Sequence, residues 1–266
     1  MDLNNKRIIL TGASSGIGKE ILGLLLAYKN TRIIAVARHI ENIPAISNRV
    51  FPFSVDVSNA EGVDKLFVFS QQIFGDTDLF IANAGFAYLE KLEKPDWQHI
   101  ENIYSLNVFS PIYALEKLLE EQHNSKEIHV KKTSKNIAFT FIISGAGLVS
   151  LPAYSLYCST KAALHHFSKT YRYESPENLQ LTAVYPVATR TDFFDKATGE
   201  GNTPLPFPVQ DAKTVARKIM RGIEKGKKNI YPSTLFRIIY PIGRVFPLFL
   251  HLYSLIERKK VKKWLA

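Results

Sequence analysis

Short, nearly unbroken apolar runs recur along this chain, and stretches with a helical repeat separate them. Residues 7–10, 32–37, 50–54, 78–82, 137–143 and 179–185 are rich in Ile, Leu, Val, Phe and Ala. Runs of this length without polar alternation predict strands buried on both faces. Between them the apolar spacing lengthens to that of a helix. Ile21, Leu22, Leu24, Leu25 and Leu26 mark the first such stretch, and Leu66, Phe67, Phe69, Ile73 and Phe74 mark a crossover helix. Ile100, Ile103, Leu106 and the run from Ile112 to Leu119 mark a longer one. Strand–helix alternation with right-handed crossovers gives a doubly wound α/β fold, a parallel sheet with helices on both faces. Ligands of such a sheet collect at the carboxyl ends of its strands. No internal repeat interrupts the pattern.

The first strand runs directly into Thr11-Gly12-Ala13-Ser14-Ser15-Gly16-Ile17-Gly18, and a helix follows. Strand, glycine-rich turn and helix form the context of a dinucleotide site. Glycine lets the backbone approach a pyrophosphate, and the first helical turn offers it free N–H groups. Farther along, Tyr157 and Lys161 are spaced four apart in a helical stretch, with Ser144 upstream. That spacing puts a phenol and an ammonium on one face. A cation beside a phenol lowers its proton affinity, so the pair is a candidate acid/base, with the Ser144 hydroxyl able to hold a substrate oxygen.

Together these motifs resemble the short-chain dehydrogenase/reductase family, in its NADP-preferring form. Thr-Gly-x-x-x-Gly-x-Gly opens the series. Asn83-Ala84-Gly85, Asn107 in Leu106-Asn107-Val108, Ser144, and the Tyr157/Lys161 pair follow in the family's order. The resemblance implies a Rossmann-type sheet of about seven strands. It also implies hydride transfer between a nicotinamide and a ketone or secondary alcohol. Tyr157 would exchange the proton and Ser144 would orient the oxygen. Lys161 would bind the nicotinamide ribose and depress the Tyr157 pKa, and Asn107 would hold a water linking Lys161 to solvent. The implied cofactor contacts are Gly12, Ser14, Ser15, Gly16, Ile17 and Gly18 around the pyrophosphate, and Asp56 and Val57 near the adenine. Asn83, Ala84 and Gly85 would lie beside the adenosine. Asn107, Tyr157, Lys161, Pro186, Val187 and Thr189 would lie on the nicotinamide side. No metal is implied, and family members are commonly homo-oligomers.

Two positions refine that expectation. The second strand ends in Ala37-Arg38, where a carboxylate would bind a ribose hydroxyl and repel a 2′-phosphate. A guanidinium suits the phosphate, so NADP(H) is expected rather than NAD(H). Pro186 is followed by Val187 where relatives carry Pro-Gly, so that turn must use ordinary backbone angles.

The 266 residues suit one α/β domain. The single cysteine, Cys158, fits a reducing compartment and reads as a packing residue, not a nucleophile. The first strand begins by residue 7, which leaves no room for a secretory signal, so a cytoplasmic location is expected. The polar stretch 120–135 reads as a surface insertion, with His123 and His129 as solvated histidines. Between Arg190 and Gln210, Phe193, Phe194, Gly199, Gly201, Pro204, Pro206 and Pro208 suggest a mobile lid. With Leu148, Val149, Leu151 and Tyr154 they point to a lipophilic substrate.

Charge sets the last segment apart. Residues 226–266 hold nine lysines and arginines against one acid, Glu257, while the rest of the chain is nearly balanced. No nucleic-acid motif accompanies this basicity. The chain therefore divides into a catalytic domain, 1–232, and an apolar, basic extension, 233–266. Pro241 and Pro247 oppose one continuous helix there. If locally helical, Arg237, Arg244, His251 and Arg258 would form a polar stripe, and Lys259, Lys260, Lys262, Lys263 and Trp264 follow them. Residues 235–264 thus suit peripheral contact with the cytoplasmic face of an anionic membrane, or else cover the pocket or build an oligomer interface. Rival readings are a 3-oxoacyl-carrier-protein reductase with the same catalytic set, and a catalytically silent nucleotide-binding regulator.

Overall fold

The computed structural model describes residues 1–94, 96–128, 136–198 and 203–265. The first half runs β1 (Arg7–Thr11), α1 (Gly16–Leu25), β2 (Arg32–Ala37), β3 (Val50–Ser54), α2 (Ala60–Phe74) and β4 (Leu79–Ala82). Next come α3 (Trp97–Tyr104), a π-helical turn at Ser105–Phe109, α4 (Ser110–Ile128), β5 (Ile137–Ile142), α5 (Ser155–Tyr171) and β6 (Leu179–Val184). The chain ends with β7 (Ala188–Arg190), α6 (Phe193–Thr198), β8 (Val209–Asp211), α7 (Ala212–Glu224), β9 (Asn229–Ile230), α8 (Thr234–Val245) and α9 (Pro247–Lys260).

Seven strands form one parallel sheet in the order β3-β2-β1-β4-β5-β6-β9. The order reverses between β1 and β4, so successive crossovers go to opposite faces and leave a crevice at the carboxyl edge. Successive residues of a strand point to opposite faces, which is why these strands are apolar throughout. In β1, Ile8 and Leu10 pack with Ile21, Leu25, Ile219 and Ile223 of α1 and α7. Ile9 faces the other way, with Leu66, Phe67, Leu115 and Leu164 of α2, α4 and α5. Phe80 of β4 stacks between Phe67 and Phe139, with ring centroids 5.9 and 5.0 Å away. A third, smaller cluster sits beyond the sheet edge and joins Ile103, Tyr154, Tyr157, Phe194 and Val261.

The short parallel pair β7 and β8 joins the two ends of the expected lid, and α6 follows β7 within it. Gly199 and Gly201 lie outside the described residues.

Two expectations change. The stretch 120–135 is not an insertion from its start, because α4 continues to Ile128. Its polar letters hide a reason for order. Glu121 accepts a hydrogen bond from the Thr77 amide at 2.9 Å, and Gln122 is buried. Burial pushes the Glu121 carboxyl up to about 7. His123 is exposed, and His129 lies outside the described residues.

In the extension, Pro241 sits inside α8, and the chain breaks at Phe246, before Pro247 opens α9. Proline deprives a carbonyl four residues back of its donor, and the residue concerned here, Arg237, is exposed, so water can replace that bond. Gly243 lets the two helices close. A Cβ there would stand 2.6 Å from Leu250. With the break at Phe246, Arg237, Arg244, His251 and Arg258 are exposed but divide between two helices instead of forming one stripe.

Candidate active site

The glycine-rich turn is shaped by backbone constraints that its residue types satisfy. Gly12 and Gly16 have φ of +67° and +53°, which strain an L side chain. A Cβ on Gly18 would stand 2.0 Å from the Gly12 carbonyl oxygen, so this glycine allows α1 to press against the turn. Asn83, at the end of β4, fastens the turn from the side. Its Nδ2 donates to the carbonyls of Thr11 and Gly12 at 3.1 and 3.0 Å. The Thr11 hydroxyl in turn accepts from the amides of Asn83 and Ala84 at 3.0 Å each.

β5 and α5 bring the acid/base candidates to the same edge. Tyr157 and Lys161 stand one turn apart on α5, both buried. Ser144 and Tyr157 line the same cleft, and the Ser144 hydroxyl donates to the Pro186 carbonyl at 3.5 Å. Ser144 itself has φ 152° and ψ 156°, a region otherwise left to glycine, and its Oγ accepts from the Ala146 amide at 3.1 Å. Lys161 Nζ donates to the Ile142 carbonyl at 3.3 Å and stands 5.6 Å from the centroid of the Tyr157 ring. Gly147 makes this packing possible, since a Cβ there would be 2.6 Å from the Lys161 carbonyl oxygen.

Asn107 sits in the π-helical turn between α3 and α4, almost fully buried. Its Oδ1 accepts from the Phe86 amide at 3.1 Å. Its Nδ2 donates to the Phe86 carbonyl at 2.9 Å and to Thr160 Oγ1 at 3.1 Å. Its side chain thus pins the Phe86 backbone to α5. An inserted residue in the helix, which defines a π turn, aims it there.

The electrostatics also reverse one expectation. Burial pushes the Tyr157 phenol up, against a smaller opposing influence of the neighbouring Ser144. Burial also lowers Lys161 to about 8. Desolvation is the largest cause at both groups. Near neutrality the arrangement presents a protonated phenol, which can donate to an oxygen bound beside Ser144, with a charged amine behind it.

These groups form part of the wall of one cleft of about 990 Å³. Gly12, Ser14, Ser15, Gly16 and Ile17 line one end with Arg38, Asp56, Val57, Asn83, Ala84 and Gly85. Ser144, Tyr157, Lys161, Pro186, Val187 and Thr189 line the other. Gly18 is the exception among the expected turn contacts. It is buried against Gly12 and Asn83 and supports the turn from behind. Val187 keeps an ordinary negative φ, as its β-branched side chain requires. The Thr189 hydroxyl donates to the Val187 carbonyl at 2.9 Å. A long cleft with a side-chain-free glycine cradle at one end and a row of polar groups at the other fits a dinucleotide.

Phe193, Phe194, Val149 and Leu151 line the remaining space, as the apolar sequence around them predicts. Tyr154 is buried behind the wall, its ring set edge-on to Phe194 at 6.0 Å. Leu148 packs into the sheet-face core. Residues that sequence reasoning did not single out also reach the cleft. Phe86, Tyr88 and Glu101 come from the β4–α4 region, and Phe236 and Tyr253 come from α8 and α9. The extension therefore covers part of the pocket. Among the described residues, no helix is long and apolar enough to cross a membrane.

Residues 6–201 match the short chain dehydrogenase family. An uncharacterized oxidoreductase of Listeria monocytogenes is 30% identical over 222 residues, covering 77% of this chain and 84% of its own. A 3-ketodihydrosphingosine reductase of Dictyostelium discoideum is 25% identical, covering 90% of this chain and 79% of its own. Among solved structures, a short chain dehydrogenase of Burkholderia cenocepacia in complex with NADP superposes with a TM-score of 0.78 at 21% identity, covering 96% of this chain and 99% of that one. A short chain dehydrogenase/reductase of Burkholderia phymatum in complex with NAD gives 0.77 at 17% identity, covering 92% and 94%. Motif order, sheet topology and these likenesses agree, and the chain belongs to the short-chain dehydrogenase/reductase family of oxidoreductases.

Proposed function

We propose that this chain is an NADP(H)-dependent oxidoreductase that interconverts a ketone and a secondary alcohol on a lipophilic substrate. The observation that carries the reading is the convergence of Ser144, Tyr157 and Lys161 on one cleft wall, with Lys161 Nζ 5.6 Å from the centroid of the Tyr157 ring. When bound, the nicotinamide supplies or accepts the hydride, and the protein supplies alignment and the proton. Ser144 holds the substrate oxygen. The Tyr157 phenol, kept protonated by burial, donates to that oxygen in the reductive direction. Lys161 offsets the negative charge that develops on the phenol oxygen. Asn107 is a positioning residue that holds the Phe86 segment against α5.

Arg38 supports NADP(H). It is exposed just after β2 and lines the cleft, where a 2′-phosphate would need a cation. Phe193, Phe207, Phe236 and Leu151 support an apolar substrate body. The likeness to a 3-ketodihydrosphingosine reductase supports long-chain ketones as the first class to test. Turnover of a free ketone without a carrier protein separates this reading from a carrier-dependent 3-oxoacyl reductase.

Tyr157→Phe tests the reading. NADPH binding, followed by fluorescence, stays intact, while ketone reduction falls by at least about 100-fold, the usual scale for a lost general acid. Turnover above about one-tenth of wild type would remove Tyr157 from the chemistry.

A further inference from the structure

The C-terminal hairpin exposes a run of apolar side chains, and the exposed charged side chains of α8 and α9 are all basic. Ile238, Ile242 and Val245 of α8, Phe246 at the bend, and Leu248 and Phe249 of α9 are each between 48 and 71% exposed. A continuous apolar patch of this kind marks an interaction surface. Arg237, Arg244, Arg258, Lys259 and Lys262 are exposed on the same segment. The one carboxylate of the segment, Glu257, is turned inward and 4% exposed. It accepts from the Phe207 amide at 3.2 Å and from Lys260 at 2.7 Å.

That charge arrangement selects the partner. A second copy applied to the same face would set cations against cations, with no exposed carboxylate of the hairpin to pair with them. Anionic lipid headgroups complement the cations, and acyl chains accept the apolar ridge. The inner face of the same hairpin forms part of the substrate end of the cleft. Phe236 and Tyr253 line it, and the Tyr253 hydroxyl donates to the Phe207 carbonyl at 2.7 Å.

We propose that α8 and α9 dock the protein on an anionic bilayer, with Ile242, Phe246 and Phe249 entering the leaflet, so that the cleft takes its substrate directly from the lipid phase. This inference rests on the lipophilic-substrate reading for its purpose, but its test does not.

The full chain is mixed with phosphatidylcholine vesicles, with and without phosphatidylserine, and bound protein is measured by flotation. Wild type floats with the phosphatidylserine vesicles, and salt weakens the association. Phe249→Glu lowers the partition coefficient by about tenfold or more, because a large buried side chain is lost. Arg258→Glu with Lys259→Glu lowers it by about fivefold per charge on phosphatidylserine vesicles only. Neither variant touches the cleft, so NADPH binding and reduction of a short water-soluble ketone remain at wild-type level and report that each is folded. Equal flotation of wild type and both variants would overturn the proposal. So would a dimer that dissociates on Phe249→Glu while vesicle binding is unchanged, which would assign the face to a second copy. Absence of ketone turnover in wild type, with flotation as described, would instead remove the catalytic reading and leave the docking surface standing.

Discussion

Lys161 is a buried ammonium, and the cost of burying it should be measurable as a pH-dependent stability. Its side chain is 4% exposed, and burial lowers its pKa from 10.5 to about 8. At 1.36 kcal/mol per unit, that difference corresponds to about 3 kcal/mol. Below about pH 8 the native and unfolded chains both carry the proton, and the native state bears the whole burial cost. Between about 8 and 10.5 the native state releases the proton while the unfolded chain still holds it. The unfolded state then binds more protons, so stability rises with pH through this window. Lys161→Met has no proton to release. The stability of wild type minus that of Lys161→Met should therefore be flat below the window and climb by about 3 kcal/mol across it. Tyr157, whose phenol is pushed up by burial, is present in both proteins and cancels. Urea denaturation at stepped pH, extrapolated to water, gives the difference directly. A flat difference through the window would refute the desolvation argument, and a fall would mean that the native site stabilises the ammonium. Lys161→Met should also lack turnover at every pH.

Two further outcomes follow from the cofactor end of the cleft. Arg38→Glu should raise the KM for NADPH by tenfold or more, the loss of a charge-assisted contact worth about 1.5–3 kcal/mol, and leave the KM for NADH nearly unchanged. Steady-state kinetics with both cofactors decide it, and an equal loss for both would exclude a phosphate contact. Gly18→Ala would place a Cβ 2.0 Å from the Gly12 carbonyl oxygen, a backbone atom with little freedom to yield. It should lower stability by about 1–3 kcal/mol and weaken NADPH binding, and an unchanged Tm with unchanged affinity would contradict the packing described for the turn.

Much of the architecture was legible in the chain because it is written in local periodicity. Apolar runs without alternation marked strands covered on both sides, and the predicted runs at 32–37 and 50–54 are β2 and β3 residue for residue. The glycine spacing of the first turn reports backbone angles and close approaches that few other residues permit, so Gly12 and Gly16 announced themselves. The four-residue interval of Tyr157 and Lys161 needed only a helix to become a juxtaposition. Other features depended on what the fold brings from far away. Asn107 was visible as a motif, but only a π-helical turn and the Phe86 backbone decide that its amide is used internally. The polar stretch after Glu120 gave no sign that Glu121 would reach the Thr77 amide across the fold. Phe236 and Tyr253 enter the cleft because the C-terminal hairpin folds back over the domain, a contact that no local spacing encodes. The proton affinities of Tyr157 and Lys161 belong to the same class. Residue types alone favour a lowered phenol, whereas the folded site raises it, because desolvation is a property of everything packed around a group. The chain by itself determined the sheet, the glycine turn and the pairing of the candidate groups Tyr157 and Lys161, since each rests on neighbours in sequence. Tertiary structure alone decided their protonation, the walls of the pocket and the outward face of the hairpin, since each depends on which distant surfaces exclude water.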